Sequence, residues 1–364
     1  MALASSVSPK YRARKSISVC SNRRRSITVA KLYGENKILP RPNIPLALVI
    51  VSWLSMPHDT LITMKKSVLA LLVPGLVLLV LLQVGLWLTR PAQHEVGPPP
   101  LDLPIRPVSI PSQSGSNLRG WFVPGRPGAG AILLMHEIRA NRLAMLDRAR
   151  FLHRAGYSVF LFDFQAHGES PGNHVTFGAR ESLDAHAAAS YLRRQAQGEK
   201  VGAIGVSLGG AAALLGSEPL PVDALVLESV YPTLEEATAD RLRLHLGHFG
   251  SLLAPWVMVQ LRVQFGLSAH ELQPIERIRA VRIPVFIVAG TEDQHTTLAE
   301  SLRLFGTANP PKEWWGVEGA AHIDFYRFAP QMYEERILDF FARTLRQNQL
   351  QRSRKSGSFN TRRP

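Results

Sequence analysis

Three side chains in this sequence have the types and the order needed to transfer an acyl group. Ser207 stands in Ile204-Gly205-Val206-Ser207-Leu208-Gly209-Gly210, Asp293 in Gly290-Thr291-Glu292-Asp293, and His322 in Gly319-Ala320-Ala321-His322. A serine hydroxyl is a weak nucleophile until a neighbouring base removes its proton, and imidazole does so when a carboxylate fixes its tautomer. A G-x-S-x-G pattern carries little weight alone, because a glycine-rich loop produces it by chance. Its meaning depends on the elements that hold it.

Those elements are legible as short apolar runs alternating with helical patterns. The runs are 131–135, 157–163, 201–206, 223–229, 284–290 and 313–317, preceded by a hairpin with arms at 105–110 and 118–123. Leu143, Leu146, Ala149, Phe151 and Leu152 recur near helical spacing, with Gly156 as a C-cap. Such alternation predicts βαβ units and a mostly parallel sheet with helices on both faces. Ser207 then falls between a strand and an alanine-rich helix, on the sharp turn that pushes a nucleophile above a sheet edge. Asp293 and His322 each follow a later strand, on loops at the same C-terminal edge. Between Tyr231 and Arg282 helix-like patterns run without a strand, which predicts a small helical cap at 231–282.

These residues resemble the α/β-hydrolase superfamily over 105–345, closest to its lysophospholipase-like and serine-aminopeptidase-like branch. The resemblance rests on Gly120-Trp121-Phe122-Val123-Pro124, His136, Gly156-Tyr157, Phe162-Asp163-Phe164, His167-Gly168-Glu169-Ser170, the serine turn, Gly290 with Asp293, and Gly319 with His322. It implies the α/β-hydrolase fold, with Ser207 as nucleophile, His322 as base and Asp293 as its orienting acid. Carried over, the oxyanion donors are the amides of Leu208 and Ile138. His167 reads as a loop-ordering residue. The family pattern has His-Gly where this chain has His136-Glu137, so a carboxylate is expected near the nucleophile, tilting preference away from anions. Glu228 is the alternative acid; Asp324 and Glu292 are also near in sequence.

The implied activity is hydrolysis of an acyl ester through an acyl-enzyme, on a small-molecule or lipid acyl substrate, with no cofactor. Thioesterases and peptidases share this machinery. A non-catalytic, membrane-anchored binding scaffold is the reading from a different class. Trp256, Leu261 and Phe265 of the cap are expected to line an acyl site.

Other chemistries find little support. The formal charge of +14 sits at the ends: residues 64–345 hold 26 basic and 26 acidic side chains. A neutral body argues against a nucleic-acid surface. Cys20 is the single cysteine, so an intrachain disulfide and a thiolate metal site are excluded. His136-Glu137-Ile138-Arg139-Ala140 lacks the second histidine of a zinc motif. The glycines of 124–130 precede a strand instead of following one, which is wrong for a dinucleotide.

The N-terminal third reads differently. Val68–Leu88 is apolar apart from Pro74, Gly75 and Gln83, with Lys65-Lys66 before it and Arg90 after it. That is enough to span a bilayer, and the basic flank predicts a cytoplasmic N-terminus and an extracytoplasmic catalytic domain. Arg90 stands where cleavage after Ala92 needs a small residue, which favours an uncleaved signal-anchor at 64–90 over secretion after cleavage. Residues 1–63 read as a basic unpacked leader, as sequence upstream of a start at Met64, or as an organelle transit peptide. Residues 91–104 read as a proline-rich spacer and 346–364 as a basic disordered tail. Oligomeric state is not encoded in any of these features.

Overall fold

A computed structural model describes residues 58–346. The expected basic leader, apart from 58–63, and the basic tail beyond Arg346 lie outside the described residues.

The elements, in chain order, begin with helix α1 (His58–Leu88) and strands β1 (Ala92–Gln93), β2 (Arg106–Pro111), β3 (Asn117–Val123) and β4 (Ala131–Met135). Helix α2 (Leu146–Arg154), β5 (Ser158–Phe162), β6 (His167–Gly168), α3 (Ala179–Gln195), β7 (Val201–Val206), α4 (Leu208–Leu215) and β8 (Ala224–Glu228) follow. The cap comprises α5 (Leu234–Leu246), α6 (Ala254–Phe265) and short helical turns that include α7 (Pro274–Arg277). The chain returns through β9 (Val285–Gly290), α8 (Leu298–Thr307), β10 (Lys312–Val317), α9 (Phe325–Phe328) and α10 (Pro330–Leu345).

Eight strands form one sheet in the order β10-β9-β8-β7-β4-β5-β3-β2. Every pair is parallel except those made by β3, which runs antiparallel to β2 and β5. Strands β4, β8 and β9 are buried at every residue, because both sheet faces are covered. Period-two alternation divides their side chains between two cores. Leu133, Met135, Phe160, Leu225 and Ile287 meet α3, α4 and the cap. Ile132, Leu134, Leu161, Val226 and Val288 meet α2 and α10, whose Tyr333, Ile337, Phe340 and Phe341 form one helical stripe.

Two expectations change. Helix α1 starts at His58, six residues before the expected start of the anchor; its Lys66–Thr89 stretch is long and apolar enough to cross a membrane. Residues 91–104 are not a free spacer but a strap packed on the domain. Ala92 and His94 donate backbone hydrogen bonds to the Ala166 and Gly168 carbonyls, at 2.7 and 2.9 Å, and Leu103 is buried in the second core. Prolines keep this segment extended, and an extended segment can pair with an exposed backbone edge.

Candidate active site

Ser207 sits at φ 47°, ψ −107° between β7 and α4. A non-glycine residue in that region carries strain of roughly 1–3 kcal/mol, held only because the surroundings over-determine it. Its amide donates to the Glu228 carbonyl at 2.8 Å, and its own carbonyl starts α4 by accepting from the Ala211 amide. The flanking glycines are required by contact. A Cβ on Gly209 would lie 2.3 Å from the Met135 carbonyl oxygen, and one on Gly205 would lie 2.6 Å from the Gly210 nitrogen. As the first residue of α4, Leu208 has an amide with no intrahelical acceptor.

His322 Nδ1 donates to Asp293 Oδ2 at 2.8 Å. The other carboxylate oxygen accepts the amides of His295 and Thr296, at 2.8 and 2.9 Å. Burial pushes the Asp293 carboxyl up, but the hydrogen bond and charge of His322 and the two amides outweigh it, leaving the pKa below its ordinary value. The acid is therefore anionic, and the imidazole proton is directed to Nδ1, which leaves Nε2 free to accept.

Glu228, the alternative acid, is placed elsewhere. Its carboxylate is 1% exposed, accepts from Arg148 at 2.8 Å and is hydrogen-bonded by the Tyr333 hydroxyl. Asp324 also pairs with Arg148, at 2.9 Å, and caps the Tyr326 amide. Both carboxylates serve the buried Arg148, and among the described residues neither is bonded to His322.

The loop after β4 is set by His136. Its Nδ1 donates to the Glu137 carbonyl at 2.7 Å and its Nε2 accepts the Phe164 amide at 3.2 Å. Burial, then the nearby His167, pushes the His136 pKa down to about 3, so it is a neutral brace. The left-handed residue here is Arg139, φ 61°, not Glu137, so the missing glycine removes no conformation the loop uses. Burial raises the Glu137 pKa, with Arg148 opposing. Glu137 is not among the residues that bound the cavity at Ser207, which the loop meets through Ile138 and Arg139. His167 is buried and donates from Nδ1 to the Gln165 carbonyl, an ordering contact.

That cavity, about 400 Å³, is bounded by Ser207, Leu208 and Ile138 on the sheet side and by Leu242, Val257 and Leu261 of the cap. Leu261 was expected there. Trp256 and Phe265 are not lining residues: Trp256 is 53% exposed, and Phe265 packs beside His174 with ring centroids 5.0 Å apart. Cap periodicity places residues on a face without saying which face meets the sheet.

Several lining residues escaped sequence reasoning. Val84, Trp87 and Leu88, from the end of α1, form part of the wall. Arg139 holds that end by donating to the Trp87 and Leu88 carbonyls, both at 2.9 Å, as cations do at helix C-termini. His295 and Arg241 also line it. Only the proximity of His295 to Asp293 in sequence could have hinted at a role.

A family model described as serine aminopeptidase, S33, matches residues 127–279. Two Mycobacterium tuberculosis proteins, each described as uncharacterized, are similar: one is 29% identical over 75% of this chain and 90% of its own length. The other is 30% identical over 64% of this chain and 76% of its own length. Among solved structures, a Pyrococcus furiosus esterase aligns with a TM-score of 0.59 at 24% identity, covering 70% of this chain and 99% of that one. The α/β hydrolase GrgF from Penicillium aligns at 0.53 and 20% identity, covering 67% and 99%.

Proposed function

Because this chain belongs to the α/β-hydrolase superfamily, we propose that it is a serine hydrolase that cleaves acyl esters while held to a membrane by α1. The observation that carries the reading is the His322–Asp293 hydrogen bond on the loops after β10 and β9, beside a cavity floored by the strained Ser207. In the first step His322 Nε2 takes the hydroxyl proton of Ser207 as Oγ attacks the ester carbonyl. The carbonyl oxygen gains negative charge, and the Leu208 and Ile138 amides stabilise it. His322 then gives its proton to the leaving alcohol, producing an acyl-enzyme. A water activated by the same imidazole releases the acid and restores the serine. Asp293 keeps the imidazolium oriented and compensated throughout.

The apolar cavity walls favour an acyl chain, and thioesters fit the same steps. Lys65 and Lys66 before the span support an extracytoplasmic catalytic domain. The test is reaction of the full-length protein with a fluorophosphonate probe beside its Ser207→Ala counterpart, followed by hydrolysis of p-nitrophenyl esters of increasing chain length. Labelling that requires Ser207 and turnover that rises with chain length are expected. A folded protein that takes no label would refute the mechanism and return the chain to the binding-scaffold reading.

A further inference from the structure

Arg241 differs from the other arginines of the cap, which are exposed. It projects from α5 into the cavity that holds Ser207, half-buried, yet among the described residues it makes no hydrogen bond and no ion pair. Its neighbours are provided for: Arg243 pairs with Asp240 at 2.9 Å, and Arg303 pairs with Glu236 at 2.7 Å. Asp293 attracts Arg241, but that carboxylate already accepts from His322, His295 and Thr296. Arg139 and His295 also line the cavity, and both are depressed in pKa, chiefly by burial and in part by Arg241. A guanidinium partly withdrawn from water with no group bonded to it directly is costly to maintain. Its five donors match the oxygens of a phosphate or carboxylate.

We propose that Arg241 receives an anionic group on the substrate, so that this cavity takes single-chain amphiphiles carrying a phosphate or carboxylate close to the scissile acyl ester. The acyl chain lies against Val84, Leu88, Val257 and Leu261, and the anion sits at Arg241 with His245 beside it. The assignment rests on the hydrolase reading for its ester, but its binding element can be tested without turnover.

The experiment uses the full-length Ser207→Ala protein in a non-ionic detergent. Affinities are measured for three uncleavable ligands of equal chain length: a 1-O-alkyl glycerol 3-phosphate, a 1-O-alkyl glycerol and an alkoxy carboxylate. A charge-assisted, partly desolvated contact predicts that at least one anionic ligand binds about ten- to hundredfold tighter than the neutral one. Which anion is preferred assigns the group. Adding Arg241→Gln brings that ratio to within about threefold, whereas Arg241→Lys retains part of it. Equal binding of neutral and anionic ligands, or a ratio unchanged in Arg241→Gln, overturns the inference. In protein with Ser207 intact, kcat/KM for a 1-acylglycerol 3-phosphate against a 1-acylglycerol gives the same comparison, normalised by fluorophosphonate titration. Selective anion binding without any labelling would keep the anion site and refute the hydrolase. Labelling without selectivity would do the reverse.

Discussion

Replacing Asp293 by Asn separates the roles of charge and geometry in the site. One oxygen of the native carboxylate accepts two backbone amides, from His295 and Thr296, and the other accepts from His322 Nδ1. The asparagine carbonyl must take the first position, since an NH2 group there would oppose two donors. The NH2 group is then directed at His322 Nδ1, which can only accept. The imidazole proton moves to Nε2, the atom that should receive the Ser207 proton. Arrest in the wrong tautomer costs about 10⁴-fold in kcat, equivalent to about 5 kcal/mol of transition-state stabilisation. The fold should lose far less, because two of the three hydrogen bonds persist and the third is remade with reversed polarity; a change of about 1–2 kcal/mol is expected. Ester hydrolysis and the rate of fluorophosphonate labelling, with chemical denaturation alongside, form the assay. A variant with more than a tenth of the parent kcat would refute the assignment of Asp293. Asp324→Asn, altering a carboxylate engaged by Arg148, should keep most activity and serves as the comparison.

Three further outcomes are expected. Glu228→Gln weakens the compensation of the buried Arg148 and should cost about 3–5 kcal/mol in urea denaturation; a loss below about 1 kcal/mol would mean that Asp324 suffices. Gly209→Ala places a methyl carbon against the Met135 carbonyl, so the turn must shift. A loss of at least about 100-fold in kcat is expected, since misplacement by about 1 Å costs that much, and near-native turnover would contradict the close approach. Asp184 is buried, which pushes its pKa up to about 7 despite hydrogen bonds from Ser112 and Ser114 hydroxyls and the Gln165 amide. The unfolded chain titrates this group near 3.8, so the folded form binds the extra proton between those values. The resulting stability is fully present below pH 3.8 and is lost as pH rises to 7, by up to about 1.4 kcal/mol per pH unit. Denaturation midpoints across pH 4–8 should show this fall in the parent and a flatter profile in Asp184→Asn; parallel profiles would place the titration elsewhere.

The sheet was legible because burial on both faces demands continuous apolar runs. The runs at 131–135 and 201–206 coincide with β4 and β7, and the others differ from their strands by one residue at an end or at each end. The relation between Ser207 and its flanking glycines was legible for a similar reason: a turn that tight admits few residue types. Pairings that depend on tertiary placement were not. Chain order and the resemblance favoured Asp293 as the partner of His322, but what occupies Glu228 and Asp324 instead was not legible: Arg148 emerges from α2 to engage both. For Glu137, sequence gives proximity to β4 without giving direction, and the loop meets the cavity through Ile138 and Arg139. Prolines at 98–100 suggested a spacer, while pairing of Ala92 and Gln93 with His167 and Gly168 depends on an edge made from residues 75 positions away.

The last turn of α1 has a double attachment. Its residues close the cavity at Val84, Trp87 and Leu88, and Gly85 runs so near α6 that a Cβ there would strike the Gln260 side chain. If the preceding turns are seated in lipid, as proposed above, the bilayer becomes a mechanical input to the cavity. A helix answers a thicker or thinner hydrocarbon layer by changing its tilt, and a tilt about the Arg139 contacts would move Trp87 and Leu88 at the cavity wall. Lipid thickness would then act on the shape of the cavity itself, and a fragment beginning at residue 91 would present a different cavity, with one wall removed.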